Sequence, residues 1–212
     1  MKIQWLGHAC FKLVSSKGVR VITDPFDETV GYDMPAEEAD IVTISHRHFD
    51  HAYVQGVKGQ PKLIDKAGSF HVDGISVKGI KSYHDDDNGK KRGDNIIYCF
   101  KIDDLNVCHL GDLGHVLNEE QAQEIGPVDV LLIPVGGTYT IDAQKAAVIA
   151  MLLRPKMVIP MHFKTPKINF PISGVDGFLE KMHGGTKLDQ NMIEVKKEDL
   201  TEELKVVVLN YE

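Results

Sequence analysis

Cysteine is scarce in this sequence: of 212 residues only Cys10, Cys99 and Cys108 carry a thiol. They are odd in number, scattered, and set in apolar strand-like runs, which argues against a disulfide framework. With no C-x-x-C pair a thiolate zinc knuckle is excluded as well, and buried reduced thiols are expected. Long apolar runs are missing too. No stretch reaches the roughly 18 residues a membrane helix needs, and the start, MKIQWLGHACFKLV, has no apolar core followed by a small-residue cleavage site. No membrane span is expected, and the reading is a cytoplasmic protein. Nor is there a long Lys/Arg run: 24 Lys+Arg stand against 31 Asp+Glu, a formal net charge of -7, so bulk nucleic-acid binding is not expected. Linkers, low-complexity tracts and short repeats are absent. With 42% hydrophobic and 26% charged residues, neither disorder nor a fibrous repeat fits, and the length suits one domain over residues 1–212.

What is present is a succession of short β-like runs. IQWL, CFKLV, VRVIT, DIVTIS, PKLID, GISVKGI, NIIYCFKI and LNVCHL fill the first half, separated by turn signals such as SSKG and IDDL. They read as a sheet of antiparallel hairpins. In the second half, strands VDVLLIPV, MVIP, MIEVKK and LKVVVLN alternate with helices, as if repeating the sheet-plus-helix theme. A helix is predicted over Asn118–Ile125, where Asn118 and Gln121 form a capping pattern and Gly126-Pro127 stops it. A second is predicted over Asp142–Arg154, ended by Pro155, with Met151 and Leu152 read as helix packing. Ser173 and Asp176 are expected to open a third, closed by Gly184-Gly185.

The chemistry concentrates in residues 46–51, His-Arg-His-Phe-Asp-His, directly after the apolar run DIVTIS. In an extended segment alternate side chains share a face, so His46 and His48 form a chelating pair while Arg47 points elsewhere. Asp50 and His51 follow where the chain turns, placed to serve a second ion. Mixed imidazole and carboxylate donors suit zinc, iron or manganese. The plain alternative is a solvated polar loop, which rarely gathers three histidines and a carboxylate in six residues. Further donors sit at comparable points: His84 ends GISVKGIKSYH, Asp112 follows LNVCHLG and His162 follows MVIPM. Each alone reads as a turn or cap residue; together, at strand ends, they make a plausible converging set.

With these residues in view, the sequence resembles the metallo-β-lactamase superfamily, whose HxHxDH signature is matched by His46, His48, Asp50 and His51. Asp24 in Thr23-Asp24-Pro25, His84, the Gly111-Asp112 pair and His162 extend the resemblance along the chain. Trp5-Leu6-Gly7-His8-Ala9 is similar to the branch of ascorbate-6-phosphate lactonases and N-acylphosphatidylethanolamine-hydrolysing phospholipase D. The resemblance implies an α/β (α+β) fold, a four-layer αβ/βα sandwich with two divalent metal ions in an edge groove. It implies that His46, His48 and His84 hold the first ion, that Asp50, His51 and His162 hold the second, and that Asp112 bridges them. Asp24 would act from behind by fixing the tautomer of a ligand imidazole, and His8 is a second supporting candidate. Asp85–Asp87 offer a rival carboxylate beside His84, or simply a solvated loop.

The implied activity is that of a metal-dependent hydrolase. A hydroxide bridging two cations is available near neutral pH, and Asp50 is the catalytic candidate for orienting it or passing a proton to the leaving group. An ester, lactone or phosphodiester of a small molecule is the expected substrate class. Arg92, on the basic loop Asn88–Gly93, is a candidate clamp for a phosphate or carboxylate, or a solvated turn. Thr138 and Tyr139 are candidate groove residues. His115 is placed near the metals, whereas His71, His109 and His183 read as ordinary surface or core histidines. Zinc is the expected ion, with manganese or iron as substitutes. Rival readings are an iron-dependent sulfur dioxygenase and a metal-binding module without turnover; the diiron flavoprotein type expects a glutamate where His48 stands. A homo-oligomer is compatible with the sequence.

Overall fold

A computed structural model of the chain describes residues 1–32 and 36–211. The first half runs β1 (Lys2–Gly7), β2 (Cys10–Val14), β3 (Arg20–Thr23), β4 (Ile41–Thr43), β5 (Lys62–Ile64), β6 (Gly68–Val72), β7 (Ile75–Tyr83), β8 (Asp94–Ile102) and β9 (Leu105–His109). The second half continues α1 (Glu119–Ile125), β10 (Val130–Pro134), α2 (Ala143–Leu153), β11 (Met157–Met161), α3 (Asp176–Lys181), β12 (Thr186–Lys187), β13 (Met192–Glu194) and β14 (Lys205–Val208). Two mixed sheets result, ordered β13-β1-β2-β3-β4-β5 and β12-β14-β11-β10-β9-β8-β7-β6.

Period-two alternation decides the packing of the six-stranded sheet. Ile3, Trp5, Phe11, Leu13, Val21 and Ile41 point into a core continuous with residues of the second sheet, such as Ile97 and Phe100. Their neighbours Leu6, Cys10, Ile22 and Val42 face the other way, into a smaller cluster with Phe26, Val30, Tyr32, Ile168 and Ile172. That outer layer is built from loops and two 3-10 turns, Glu28–Val30 and Val54–Gly56. The α-helices lie on the eight-stranded sheet, where α1 meets β7, α2 meets β10 and α3 packs on α2. The Tyr98 hydroxyl ties the sheets together, donating towards the carbonyls of Ile44 and Ile64 at 3.0 and 2.9 Å. Among the described residues, no helix is long and apolar enough to cross a membrane.

The four-layer α/β sandwich expected from the resemblance is therefore present, but four expectations about its parts need correction. The first half is not one sheet of hairpins: β1–β3 and β6–β9 are antiparallel, yet β4 runs parallel to both β3 and β5. Residues 24–40 and 44–61 are crossovers, too long for hairpin turns and long enough to reverse the chain twice, which gives parallel neighbours. The second half does not repeat the first, because β10, β11, β14 and β12 pair in parallel as an extension of the second sheet while β13 returns to the edge of the first. The third helix is only six residues long; Val175 precedes it without a side-chain cap, and Ser173 instead donates its backbone N–H to Gly136.

The other two helices match their signals. Asn118 and Gln121 form a reciprocal capping box, Asp142 accepts from the Lys145 N–H at 2.8 Å, and Arg154 closes α2 in the left-handed region before Pro155. Helix α2 buries Ala146, Ala147, Ile149, Ala150 and Leu153, but Met151 is 73% exposed and Leu152 38%. These two residues are thus not core packing: small alanines line the buried face and the larger side chains are left in solvent.

Candidate metal centre

Six strand ends, three from each sheet, meet at one edge of the sandwich. His8 follows β1, Asp24 follows β3, His46–His51 follow β4, His84 follows β7, Asp112 lies just beyond β9, and His162 follows β11. A strand end is where the backbone leaves its ladder and can swing a side chain over the edge. Here three non-glycine residues do so from the left-handed region, His8 (φ 51°), Asp24 (φ 42°) and His162 (φ 51°). Each such conformation costs roughly 1–3 kcal/mol, and such strain collects where geometry matters more than stability. Gly111, at φ 57°, is required for a second reason: a Cβ there would lie 2.5 Å from both Asn95 Oδ1 and the Ser45 Cβ.

Asp112 is the centre of the cluster. Its Oδ2 lies 3.3 Å from His51 Nε2, 3.4 Å from His84 Nε2, 3.3 Å from His162 Nε2 and 4.0 Å from His46 Nε2. Asn95 holds it there, accepting the Asp112 N–H at 2.9 Å while donating to the Ser82 hydroxyl at 2.7 Å and the Leu110 carbonyl at 2.9 Å. Around Asp112 the donors fall into groups whose ligand atoms lie within 4.8 Å of one another: His46 with His48 and His84; His8 with Asp50, His51 and His162; and His46 with His51 and Asp112. His46 Nε2 and His48 Nδ1 approach to 3.0 Å, so the chelating pair converges as alternate side chains should.

Asp24 sets which ring nitrogens face the centre. It is buried and ionised, so it can only accept: from the Ser45 N–H at 2.7 Å, the Ser45 hydroxyl at 2.6 Å and His51 Nδ1 at 3.1 Å. Since the Ser45 hydroxyl proton is committed to Asp24, the 3.0 Å contact from Ser45 Oγ to His46 Nδ1 must be donated by the imidazole. One carboxylate thereby fixes a proton on Nδ1 of both His46 and His51 and turns both Nε2 atoms inward. His8 plays a comparable part for Asp50, donating from Nε2 to Oδ2 at 3.1 Å. Its own carbonyl accepts from Trp5 Nε1 at 3.0 Å and from the His162 N–H at 3.1 Å, which gives the WLGHA segment a physical role in shaping the site.

Burial dominates the titration of these groups. It lowers His8 to about 4 and, aided by repulsion from His51, His46 to about 3; it lowers His84 as well, so all three are neutral imidazoles. Burial would raise Asp112, but His162 and His51 hold it well below the usual carboxylate range. Burial also opposes charging of His51, yet Asp112, Asp24 and Asp50 outweigh it and push that imidazole well above its ordinary value. Three carboxylates thus surround a small buried volume in which His8, His46 and His84 are neutral and His51 alone is pushed towards its charged form, a balance that calls for added positive charge. Among the described residues, His51 Nε2 and Asp112 Oδ1 are buried without a hydrogen-bond partner. Inward-facing Nε2 atoms, an orphaned carboxylate oxygen and excess buried negative charge make a donor set suited to divalent cations, which would displace the proton of His51.

The centre opens into a cavity of about 380 Å³ lined by His48, Phe49, Asp50, His84, Lys91, Arg92, Asp112, Tyr139, His162 and Phe170. Arg92 and Tyr139 are therefore at the groove, with the guanidinium carbon 5.5 Å from the ring centroid. Thr138 is not among the lining residues: its hydroxyl is committed to the Pro171 carbonyl at 2.7 Å. Asp85 is no rival ligand, because its carboxylate accepts the backbone N–H groups of Asp87, Gly89, Lys91 and Arg92 at 2.7–2.9 Å. Burial would raise it, but those four donors hold it near 2. His115 also lies outside the centre, accepting from the Tyr83 N–H and contacting the Val116 carbonyl. His109 is a core residue, as read from the sequence; it joins the sheets through Nε2 to the Ala9 carbonyl at 2.8 Å.

Sequence reasoning missed Ser45, Asn95, Phe49 and Phe170. Ser45 could have been suspected from its place just before His46. Asn95 is a buried amide at the start of a strand and gives no local signal, and Phe170 reaches the groove from a distant loop.

A family described as "Beta-lactamase superfamily domain" matches residues 2–162, a span that ends on the last of the clustered histidines. A UPF0173 metal-dependent hydrolase of Koribacter versatilis is 31% identical over 218 residues, covering 85% of this chain and 91% of that protein. A second UPF0173 metal-dependent hydrolase, of Thermococcus onnurineus, is 30% identical over 78% of this chain and 85% of that one. Among solved structures, a metallo-β-lactamase superfamily protein of Thermotoga maritima, provisionally termed a zinc-dependent hydrolase, superposes with a TM-score of 0.83 at 43% identity. It covers 98% of this chain and 97% of its own. A metallo hydrolase of Ignicoccus hospitalis shares the fold at a TM-score of 0.66 and 22% identity.

Proposed function

The chain belongs to the metallo-β-lactamase superfamily, and from that premise we propose that it is a metal-dependent hydrolase that adds water across an ester, lactone or phosphodiester bond of a small substrate. The observation that carries this reading is the placement of Asp112 Oδ2 within 3.3–3.4 Å of three imidazole Nε2 atoms delivered by three separate strand ends. His46, His48 and His84 would hold one cation and Asp50, His51 and His162 another, with Asp112 shared between them. Two divalent ions in such a site would supply Lewis acidity and a water of lowered pKa, near 7 instead of 15.7.

The protein's own groups do the rest. Asp24 and Ser45 keep His46 and His51 in the tautomer whose Nε2 can ligate. Asp50 is kept ionised by His8 and His51, which outweigh the opposing effect of burial, and would accept a proton from the attacking water and return it to the departing oxygen. No serine or cysteine nucleophile is required, since the added oxygen comes from water: the ester bond breaks, one product takes the hydroxyl and the other the proton. The test is to purify the protein, count bound metals by elemental analysis, and assay aryl esters, lactones and phosphodiesters with zinc, manganese and iron in turn. Metal-dependent turnover of at least one class is the expected result. Metal occupancy without turnover on the whole panel would defeat the reading, and oxygen consumption by the iron form would redirect it to an oxidoreductase.

A further inference from the structure

Resting on that hydrolase reading, we propose that the substrate is two-ended: a flat apolar group lies against Phe49, Tyr139 and Phe170, and an acidic group, carboxylate or phosphate, lies towards Arg92, Lys66 and Lys81. The bond to be cleaved lies between them, beside His48.

Two cavities meet at the metal centre and share a wall. The first, of about 380 Å³, is the one described above; the second, of about 500 Å³, is lined on the far side by Arg47, Lys66 and Lys81 together with Asp65 and Asp94. His48 and Arg92 line both, so they form the ridge across which a ligand would lie. The first side is aromatic. Phe49 is 62% exposed, and the rings of Phe49 and Tyr139 both stand edge-on to Phe170, with centroids 6.5 and 6.3 Å away. A solvent-facing phenylalanine beside the candidate metal centre, continued by Phe170 and then Tyr139, is a surface for a planar ligand.

The second side is cationic in a chain whose overall charge is -7. Arg47 is paired with Asp65, but Lys66 and Lys81 have no ion-pair partner among the described residues. The Arg92 guanidinium has no acidic partner among them either and rests on the Tyr139 ring, so its donors are available at the junction. The backbone beneath it is fixed, because Asp85 gathers the N–H groups of Lys91 and Arg92 along with those of Asp87 and Gly89. Holding the backbone in advance reduces the ordering cost when an anion is bound. Focused positive charge on an acidic protein attracts anionic ligands to this cleft.

The test uses the full chain loaded with metal and reads binding separately from turnover. Binding is measured by calorimetry with 5-oxo-5-phenylpentanoate, its phosphonate counterpart, and the neutral ketone butyl phenyl ketone, none of which can be hydrolysed. Turnover is measured with phenyl hydrogen glutarate against phenyl pentanoate. A charge-assisted contact to Arg92 predicts that an acidic ketone binds about tenfold or more tightly than the neutral one. The more favoured acid identifies carboxylate or phosphate as the natural group. Arg92→Met, and separately the surface double variant Lys66→Met/Lys81→Met, should bring the acid-to-neutral ratio towards unity, and Phe49→Ala should weaken acidic and neutral aryl ketones alike. Equal binding of acidic and neutral ketones, or an acid preference untouched by Arg92→Met and by the double lysine variant, overturns the inference even if esters are hydrolysed. Selective binding without turnover of either ester supports the two-ended site, and the hydrolase reading falls separately if the lactones and phosphodiesters of the wider panel are not turned over either.

Discussion

Replacing Asp24 with asparagine removes one oxygen and changes the proton positions on two metal-ligand candidates. In the native site Oδ2 accepts from both the Ser45 hydroxyl and His51 Nδ1. In the variant Oδ1 can still serve the Ser45 N–H, but the group in place of Oδ2 is an NH₂ donor facing two donors. His51 escapes the conflict by shifting its proton to Nε2, the atom that faces Asp112 at 3.3 Å. Ser45 must then accept from the amide and donate to His46 Nδ1, which moves the proton of His46 to its own Nε2. Both imidazoles lose their ligating lone pair from one buried substitution, although a cation can still displace those protons at a free-energy cost. Loss of a single supporting hydrogen bond behind a metal ligand typically costs 10–100-fold in affinity, so Asp24→Asn should weaken both ions by at least that factor, about 1.4–2.8 kcal/mol each. Ser45→Ala, which breaks only the His46 arm, should weaken one ion and spare the other. Competition against a chromophoric chelator measures both affinities, and circular dichroism checks the fold. Native affinity at both sites in a folded Asp24→Asn protein would refute the tautomer argument.

Other consequences follow from the same geometry. His48→Ala should abolish metal-dependent hydrolysis while leaving the fold intact, since His48 is an exposed groove residue; unchanged turnover would remove it from the site. Asn95→Ala should destabilise the protein by roughly 2–3 kcal/mol, because three buried hydrogen bonds around Asp112 are lost; a denaturant midpoint equal to that of the native protein would contradict this. The metal-free protein should lose stability as pH falls from 6.5 to 4. His8 and His46 are held by burial near 4 and 3 in the folded state, so the unfolded chain takes up protons first, and stability present above 6.5 declines as pH approaches those values. For His8 alone the loss is on the order of 3 kcal/mol. The raised His51 contributes a constant amount across this window, because its stabilisation is complete below 6.5 and is lost only at higher pH. Urea titrations in chelator check the trend, and a flat profile between pH 6.5 and 4 would contradict it.

The candidate ligands were legible in the sequence for a geometric reason. Chelation from one strand end requires neighbours two residues apart, and His46 and His48 have that spacing. His84, Asp112 and His162 share only their position after an apolar run, which is a usable signal because strand ends meet at a sheet edge. Ser45 and Asn95 were not legible, since their roles depend on which carbonyl or carboxylate the fold brings against them. Thr138 illustrates the reverse: a polar residue beside Tyr139, it has the chemistry of a groove residue, but the Pro171 carbonyl occupies its hydroxyl. Helices α1 and α2 announce themselves through local caps. Sheet membership does not, because β13 leaves the second half to pair with β1, and nothing local in MIEVKK encodes that long-range choice.

The most direct test of the two-cation centre is a crystal structure of the protein grown with zinc or manganese, with anomalous scattering used to locate the ions. Two peaks are expected, one bound by His46, His48 and His84 and the other by Asp50, His51 and His162, with Asp112 contacting both. A map in which these side chains bind no ion, or in which Asp112 touches neither peak, would contradict it.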